Sequence, residues 1–180
     1  MKAIATALPE VLVLEPKIFG DVRGHFFESY NRRTLADLGI TADFVQDNQS
    51  RSQKNVVRGL HYQVHQPQAK LVRVLSGRIF DVAVDIRRSS STFGKWVGVE
   101  LSAENHKTIW IPCGFAHGFS VLSETAEVAY KADAFYAPDF ERCIVWNDPE
   151  LAIDWHLTGE ASLSAKDLMG KSLRDAEVFE

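Results

Sequence analysis

From residue 12 to about residue 146 the chain is a series of short apolar segments cut apart by Gly, Pro and small polar residues. Nothing else in the sequence constrains the fold as strongly. Residues 11–14 close at Pro16, and residues 25–29 follow a turn at 21–24. Residues 44–49, 96–101, 107–111, 119–122, 127–132 and 143–146 continue the spacing. Residues 70–75, the pair Ser76-Gly77 and residues 78–85 read as a β-hairpin. In its second arm Phe80, Val82 and Val84 alternate with Asp81, Ala83 and Asp85, the period of a strand with one buried face. One early helix is expected over 31–38, where Leu35 and Leu38 share a face and Gly39 stops the element. Near the end, Ser164-Ala165-Lys166-Asp167 carries the Ser-x-x-acid pattern of a helix start. Many short strands with so few helices predict a mainly β fold, a sandwich or barrel of antiparallel strands.

Composition narrows the function. The 180 residues suit one domain, spanning 1–180. Twenty Lys and Arg against 24 Asp and Glu give a net charge of −4, the wrong sign for a nucleic-acid binder. A local basic cluster for a small phosphorylated ligand stays compatible with that balance. Cys113 and Cys143 are too few for a disulfide framework or a four-thiolate zinc site and read as free thiols in a reducing cytosol. The first apolar run is too short for a signal peptide, and no segment approaches the roughly 20 apolar residues of a membrane span. A cytoplasmic protein with no membrane or nucleic-acid partner is expected.

Four stretches combine ionisable residues with Gly or Pro beyond what a core needs: 21–28, 46–50, 57–63 and 111–119. In the last, Pro112-x-Gly114-x-x-His117-Gly118 resembles the second signature of the cupin superfamily, in which a tight turn aims the His into a barrel. Metal-binding cupins supply His-x-His and then a Glu from the first signature. Here that stretch is His61-Tyr62-Gln63, no Glu lies between Gln63 and Gly77, and Lys70 stands in the interval. A cation in a would-be divalent metal site is electrostatically wrong, so no metal is expected. The fold expected is a cupin-type jelly-roll antiparallel β-barrel with a few short helices.

The resemblance then becomes specific. Asp21-x-Arg23-Gly24-x-Phe26-Phe27-Glu28, Gln46-Asp47-Asn48-Gln49-Ser50, Arg58-Gly59-Leu60-His61 and Gln68-x-Lys70 all match the dTDP-4-dehydrorhamnose 3,5-epimerase family. So do residues 80–87, Thr92-Phe93-Gly94, residues 114–119, Tyr130-Lys131, Tyr136-Ala137-Pro138 and Leu163-Ser164-x-Lys166-Asp167, in the family's order over nearly the whole chain.

That resemblance implies a cofactor-free epimerisation of a dTDP-linked 4-keto-6-deoxy hexose. The C4 ketone acidifies the hydrogens on C3 and C5; removing one gives an enolate, and a proton returned to the other face inverts the centre. By the resemblance His61 is the base, Asp167 its partner carboxylate and Tyr130 the acid on the opposite face. Lys70 and His117 lie close to the ketone or the base. Arg23, Arg58 and Lys166 suit the pyrophosphate, Glu28, Gln46 and Asn48 the thymine and sugar, and Tyr136 and Phe19 the thymine ring; Glu141 belongs to the same substrate-binding set. The family also implies a homodimer in which the strand around Arg23–Glu28 helps build the other chain's site.

Plainer readings stand beside these. Asp167 by spacing alone is a helix cap, Tyr130 is a packed strand aromatic, His117 a turn donor, Lys70 a solvated strand end and Arg23 a surface turn residue. If one strand ran on past Tyr130 to Tyr136, the two would share a face with Ala132 and Ala134 between them. Arg58 and His61 are three apart, which in a regular strand puts them on opposite faces; both reach one cavity only if Gly59 marks a bulge or twist, or if the phosphates lie at the barrel rim. Rival functions are a sister enzyme acting at C3 or C5 alone or isomerising the keto sugar and, further off, a metal-binding or non-enzymatic cupin.

Overall fold

Thirteen strands and two short helices succeed one another along residues 1–180, all of which the computed structural model describes. They are β1 (Lys2–Ala5), β2 (Leu12–Glu15), β3 (Ile18–Asp21), β4 (Gly24–Phe27), α1 (Arg32–Asp37), β5 (Gln46–Gln53), β6 (Val57–Gln63), β7 (Lys70–Ser76) and β8 (Arg78–Asp85). Then come β9 (Trp96–Ser102), β10 (Thr108–Ile111), β11 (Phe115–Val121), β12 (Thr125–Ala132), β13 (Glu141–Cys143) and α2 (Ala165–Leu168). A six-stranded sheet in the order β1-β2-β10-β7-β12-β5 faces a five-stranded sheet in the order β13-β6-β11-β8-β9, and β3 and β4 form a separate two-stranded ribbon. Every named pairing is antiparallel, the mainly β, cupin-type jelly roll expected. No helix is long and apolar enough to cross a membrane.

The expected hairpin at 70–85 is not one. β7 pairs with β10 and β12, whereas β8 pairs with β9 and β11 in the other sheet. The two segments are joined at a corner. Gly77 has φ +77°, and a Cβ there would run into the Thr125 carbonyl oxygen. A Ser-Gly pair between two apolar runs is a turn signal in either topology, and local sequence does not separate a hairpin from a crossing between sheets.

The alternation in β8 also differs from expectation. Every residue from Ile79 to Asp85 is buried. Ile79 and Ala83 join Val72, Ile109, Phe119 and Val128 between the sheets. Phe80, Val82 and Val84 lie on the outer face, under Ile144, Leu151, Trp155 and Leu173 of the C-terminal stretch. Trp155 Nε1 donates to the Trp146 carbonyl at 2.7 Å and Ser120 Oγ to the Trp155 carbonyl at 2.7 Å, pinning that stretch down. Asp81 and Asp85 are therefore interior groups, both 0 % exposed. A carboxylate survives there only with close partners.

Helix α1 follows the expected pattern. Asn31 accepts from the amides of Arg33 and Thr34 as N-cap, Leu35 buries against Leu14, Ile40 and Leu71, and Gly39 adopts φ +85° after the last turn. Helix α2 is a single turn opened by a capping box between Ser164 and Asp167. Several boundaries move: β5 starts at Gln46 and runs to Gln53, β11 starts at Phe115, and β13 ends at Cys143. β12 stops at Ala132, so Tyr130 and Tyr136 do not share one strand.

Candidate active site

Strand β6 carries the centre of the site. Its pairing with β11 aligns His61 with His117 and Arg58 with Phe119, so three steps on β6 match two on β11. That β-bulge puts Arg58 and His61 on the same, interior face. Gly59, with φ +103°, makes the bulge, and a Cβ on it would meet the His117 carbonyl oxygen at 2.5 Å. Gly118 answers it from β11, where a Cβ would lie 2.6 Å from the Arg58 carbonyl oxygen. Arg58 then reaches across to the facing sheet, Nε donating to Ser52 Oγ on β5 at 3.0 Å.

His61 Nε2 lies 2.8 Å from Asp167 Oδ1. The contact is close but bent: Nε2 is buried and makes no well-directed hydrogen bond. Asp167 Oδ1 also accepts the Gly59 amide at 3.1 Å, and Oδ2 accepts Ser164 Oγ at 2.6 Å. The helix-cap role and the partnership with His61 are thus held by one carboxylate. Burial would raise its pKa, but the donors from His61, Ser164 and Gly59 outweigh burial and hold it well below the usual carboxylate range.

Two buried groups lie beside this pair. His117 Nε2 is 2.9 Å from Asp81 Oδ2, with the imidazole 7 % exposed. Burial lowers the His117 pKa against the upward pull of Asp81, and Lys70 and His61 lower it further. Lys70 opens β7 on the same face as Val72 and Val74 and is 8 % exposed, so it is no solvated strand end. Burial brings its ammonium down to about 8, even though Asp81 and Glu141 favour the charged form. Asp81 was not among the expected site residues. Its place in the alternation, between Ile79 and Ala83 on the inward face, is the signal that could have found it.

The facing sheet supplies Tyr130, Gln46 and Asn48, and Tyr136, Glu141 and Lys166 gather beside them. Tyr130 on β12 pairs with Asn48 on β5 and with Val72 on β7, and packs against the core between the sheets. Burial, and then Glu141, raise its pKa. Gln46 donates to Asn48 Oδ1 at 3.0 Å and accepts the Tyr136 amide at 2.9 Å. Tyr136 donates its hydroxyl to Glu141 Oε2 at 2.6 Å, and the Lys166 ammonium bonds the same carboxylate oxygen. Tyr136 therefore arrives on a loop after β12, and Gln63 fixes that loop: it accepts the Ala137 amide at 2.8 Å and donates to the Gln66 and Phe135 carbonyls. At the position where metal-binding cupins carry a second His, this side chain is spent on backbone.

Three expected residues stand apart within the chain. Phe19 and Arg23 lie on the β3–β4 ribbon, whose outer residues are exposed, and Arg23 pairs only with Asp21, at 3.1–3.2 Å through Nε. Glu28 accepts from Asn31 Nδ2 at 2.8 Å and Thr34 Oγ1 at 3.2 Å at the start of α1. Against that, His61, Lys70, Tyr130, Asp167, Arg58, His117, Gln46, Asn48, Tyr136, Glu141 and Lys166 are gathered by β5, β6, β7, β11, β12, β13 and the segments beside them.

The class this defines is a cupin-type isomerase, a jelly roll whose interior holds groups able to take and give protons around a charged ligand. The model of the dTDP-4-dehydrorhamnose 3,5-epimerase family matches residues 5–175. The chain is 59 % identical over 180 residues to a dTDP-4-dehydrorhamnose 3,5-epimerase of Pseudomonas aeruginosa, covering 99 % of each. It is 56 % identical over 182 residues to one of Salmonella typhimurium, covering all of both. Among solved structures, a dTDP-6-deoxy-D-glucose-3,5-epimerase of Legionella pneumophila in complex with dTDP-4-keto-L-rhamnose superposes with a TM-score of 0.96 at 55 % identity, covering 98 % of this chain and 94 % of that one. The chain belongs to the dTDP-4-dehydrorhamnose 3,5-epimerase family.

Proposed function

We propose that the protein inverts C3 and C5 of dTDP-4-dehydro-6-deoxy-D-glucose to give dTDP-4-dehydro-L-rhamnose, without cofactor or metal, as one domain over 1–180 working in the cytoplasm. The observation that carries this reading is His61, held 2.8 Å from Asp167 on a bulged strand of one sheet, while Tyr130 packs into the core from the other.

His61 takes the proton from carbon next to the C4 ketone, and Asp167, 2.8 Å away, holds the imidazole in place. The electron pair moves onto the C4 oxygen. Lys70 and His117 supply positive potential and donors where that charge develops, the part a metal would otherwise play. Tyr130 returns a proton to the opposite face of the ring, so the centre is inverted. The cycle runs once at each of the two carbons. Arg58 and Lys166 hold pyrophosphate oxygens, Gln46 and Asn48 contact thymine and sugar, and Tyr136, fixed by Glu141, stacks on the thymine ring.

Phe19, Arg23 and Glu28 enter as parts of a homodimer. Ile18, Phe19, Val22 and Phe26 on the ribbon are all exposed large hydrophobics, Val22 fully so. An apolar surface of this kind on an isolated chain suits burial against a second copy, and in that position Arg23 and Phe19 complete the partner's nucleotide site.

The test is to supply the substrate in deuterium oxide and follow products by NMR. Deuterium at both C3 and C5 with the L-rhamno product supports double epimerisation. Label at one carbon only points to a sister monoepimerase, and no label at either contradicts the reading.

A further inference from the structure

Cys143 lies beside the catalytic pair, and proton transfer gives it no part. It sits directly opposite His61 in the β13–β6 ladder. Its thiol makes one long contact, 3.4 Å to the carbonyl of the adjacent Ile144. The ligand atoms of His61, Cys143 and Asp167 lie within 4.8 Å of one another. At ordinary Zn–N, Zn–O and Zn–S bond lengths, the edges of a zinc tetrahedron measure about 3.3–3.6 Å, so small side-chain shifts bring the three onto one ion. His61 Nε2 is buried with no well-directed hydrogen bond, and the Asp167 carboxylate supplies negative charge next to it. Burial first, then Asp167 and Glu141, push the thiol up to about 12 against the pull of Lys166, so the thiolate forms only as a cation displaces the proton.

We propose that His61, Cys143 and Asp167 form a binding site for a thiophilic divalent cation such as Zn²⁺, and that the cation, bound at Nε2, inhibits the enzyme by keeping the ring proton on Nδ1, so that the base has no free lone pair to offer the substrate. The inhibition rests on the assignment of His61 as that base; the binding does not. One imidazole, one thiolate and one carboxylate are a zinc-type donor set and a poor one for Mg²⁺ or Ca²⁺, which prefer oxygen. On binding, the thiol gives its proton to solvent, the neutral imidazole and the carboxylate donate electron pairs, and the fourth position stays open to water. The set differs from that of a metal-binding cupin, because Gln63 is tied to backbone and Lys70 faces the cavity.

The experiment uses the full-length protein, dialysed against chelator. Zn²⁺ alone is titrated by calorimetry, Co²⁺ is added separately to look for thiolate-to-cobalt charge-transfer absorption, and epimerase turnover is measured at each Zn²⁺ level. Expected are one equivalent of Zn²⁺ bound, loss of turnover restored by EDTA, no effect of Mg²⁺, and a cobalt–thiolate band. Cys143→Ser keeps basal turnover, loses the band and raises the half-inhibiting Zn²⁺ concentration about tenfold or more, since loss of even an outer-shell partner weakens metal binding by ~10–100-fold. Absence of Zn²⁺ binding, or equal inhibition of wild type and Cys143→Ser, overturns the site. Binding that leaves turnover of keto-sugar untouched overturns the inhibition and with it the base assignment of His61, while a metal that raised turnover would overturn the inhibition and the metal-free mechanism together.

Discussion

Arg58 and His61 face one cavity from positions three residues apart on the same strand, because β6 fits an extra residue between them where β11 does not. Gly59 makes this possible. Gly59→Ala must place a side chain at φ +103° and 2.5 Å from the His117 carbonyl oxygen. Unfavourable backbone of this kind costs about 1–3 kcal/mol, before the collision with β11 is counted. The variant should unfold at lower urea and lose most of its kcat/KM, because any relief of the clash turns Arg58 or His61 away. Unchanged stability and turnover would contradict the bulge as the positioning element.

Lys70 titrates in an accessible range. Burial sets its ammonium at about 8, with Asp81 among the groups that hold it up. The charged form is present below that pH and lost above it, so kcat/KM should fall on the alkaline side with an apparent pKa near 8. Asp81→Asn removes an upward influence and should move that limb to lower pH. A limb that stays put in Asp81→Asn would detach Lys70 from the developing charge at C4.

Asp85, together with Asp167, makes the fold sensitive to acid. Burial would raise its pKa, but Arg87 Nε at 2.9 Å, Ser90 Oγ at 2.6 Å and Thr92 Oγ1 at 2.6 Å hold it well below the usual range. A carboxylate with a depressed folded pKa stabilises fully above its unfolded pKa of about 4, and that contribution is lost as pH falls through the folded value. Urea midpoints of the wild type should therefore drop below about pH 4. Asp85→Asn should flatten that drop and cost about 3 kcal/mol at pH 7, where Arg87 loses its buried charge partner and keeps only Glu10. An equal acid slope in both proteins would place the sensitivity elsewhere.

The proposed sharing of the site between two chains can be tested by mixing. Arg23→Ala and His61→Ala chains should each be nearly inactive alone. In a mixed dimer one of the two sites draws His61 and Arg23 from unmutated positions. Unfolding and refolding the two together should recover up to about a quarter of wild-type activity, the share set by random pairing of a two-fold dimer. No recovery, with dimers present by light scattering, would mean that Arg23 does not act across the interface.

Much of this architecture was legible in the residues. The period of two, the Pro112–Gly118 turn and the motif order pointed to a jelly roll and to the groups that the structure gathers around His61. What local sequence could not supply was partnership. The run 70–85 looks like a hairpin because pairing is decided by which sheet each strand joins, not by the turn. The alternation in β8 marks two faces but not which is the interior, so Asp81 was passed over while its outward neighbours were read as the buried side. Asp167 showed the same limit from the other direction: its spacing disclosed only the cap, the resemblance named it as the partner of His61, and the fold brings the two to 2.8 Å. Phe19, Arg23 and Glu28 stand apart from His61 within one chain, and only the proposed homodimer would join them to a site.

The most direct measurement is deuterium uptake at C3 and C5 of the keto-sugar in His61→Ala and Tyr130→Phe, with calorimetry confirming that each still binds dTDP. If His61 is the base and Tyr130 the opposing acid, His61→Ala abolishes exchange at both carbons, whereas Tyr130→Phe retains exchange but loses most inversion. Exchange that persists in His61→Ala, or exchange and inversion lost to equal extents in Tyr130→Phe, would contradict those assignments.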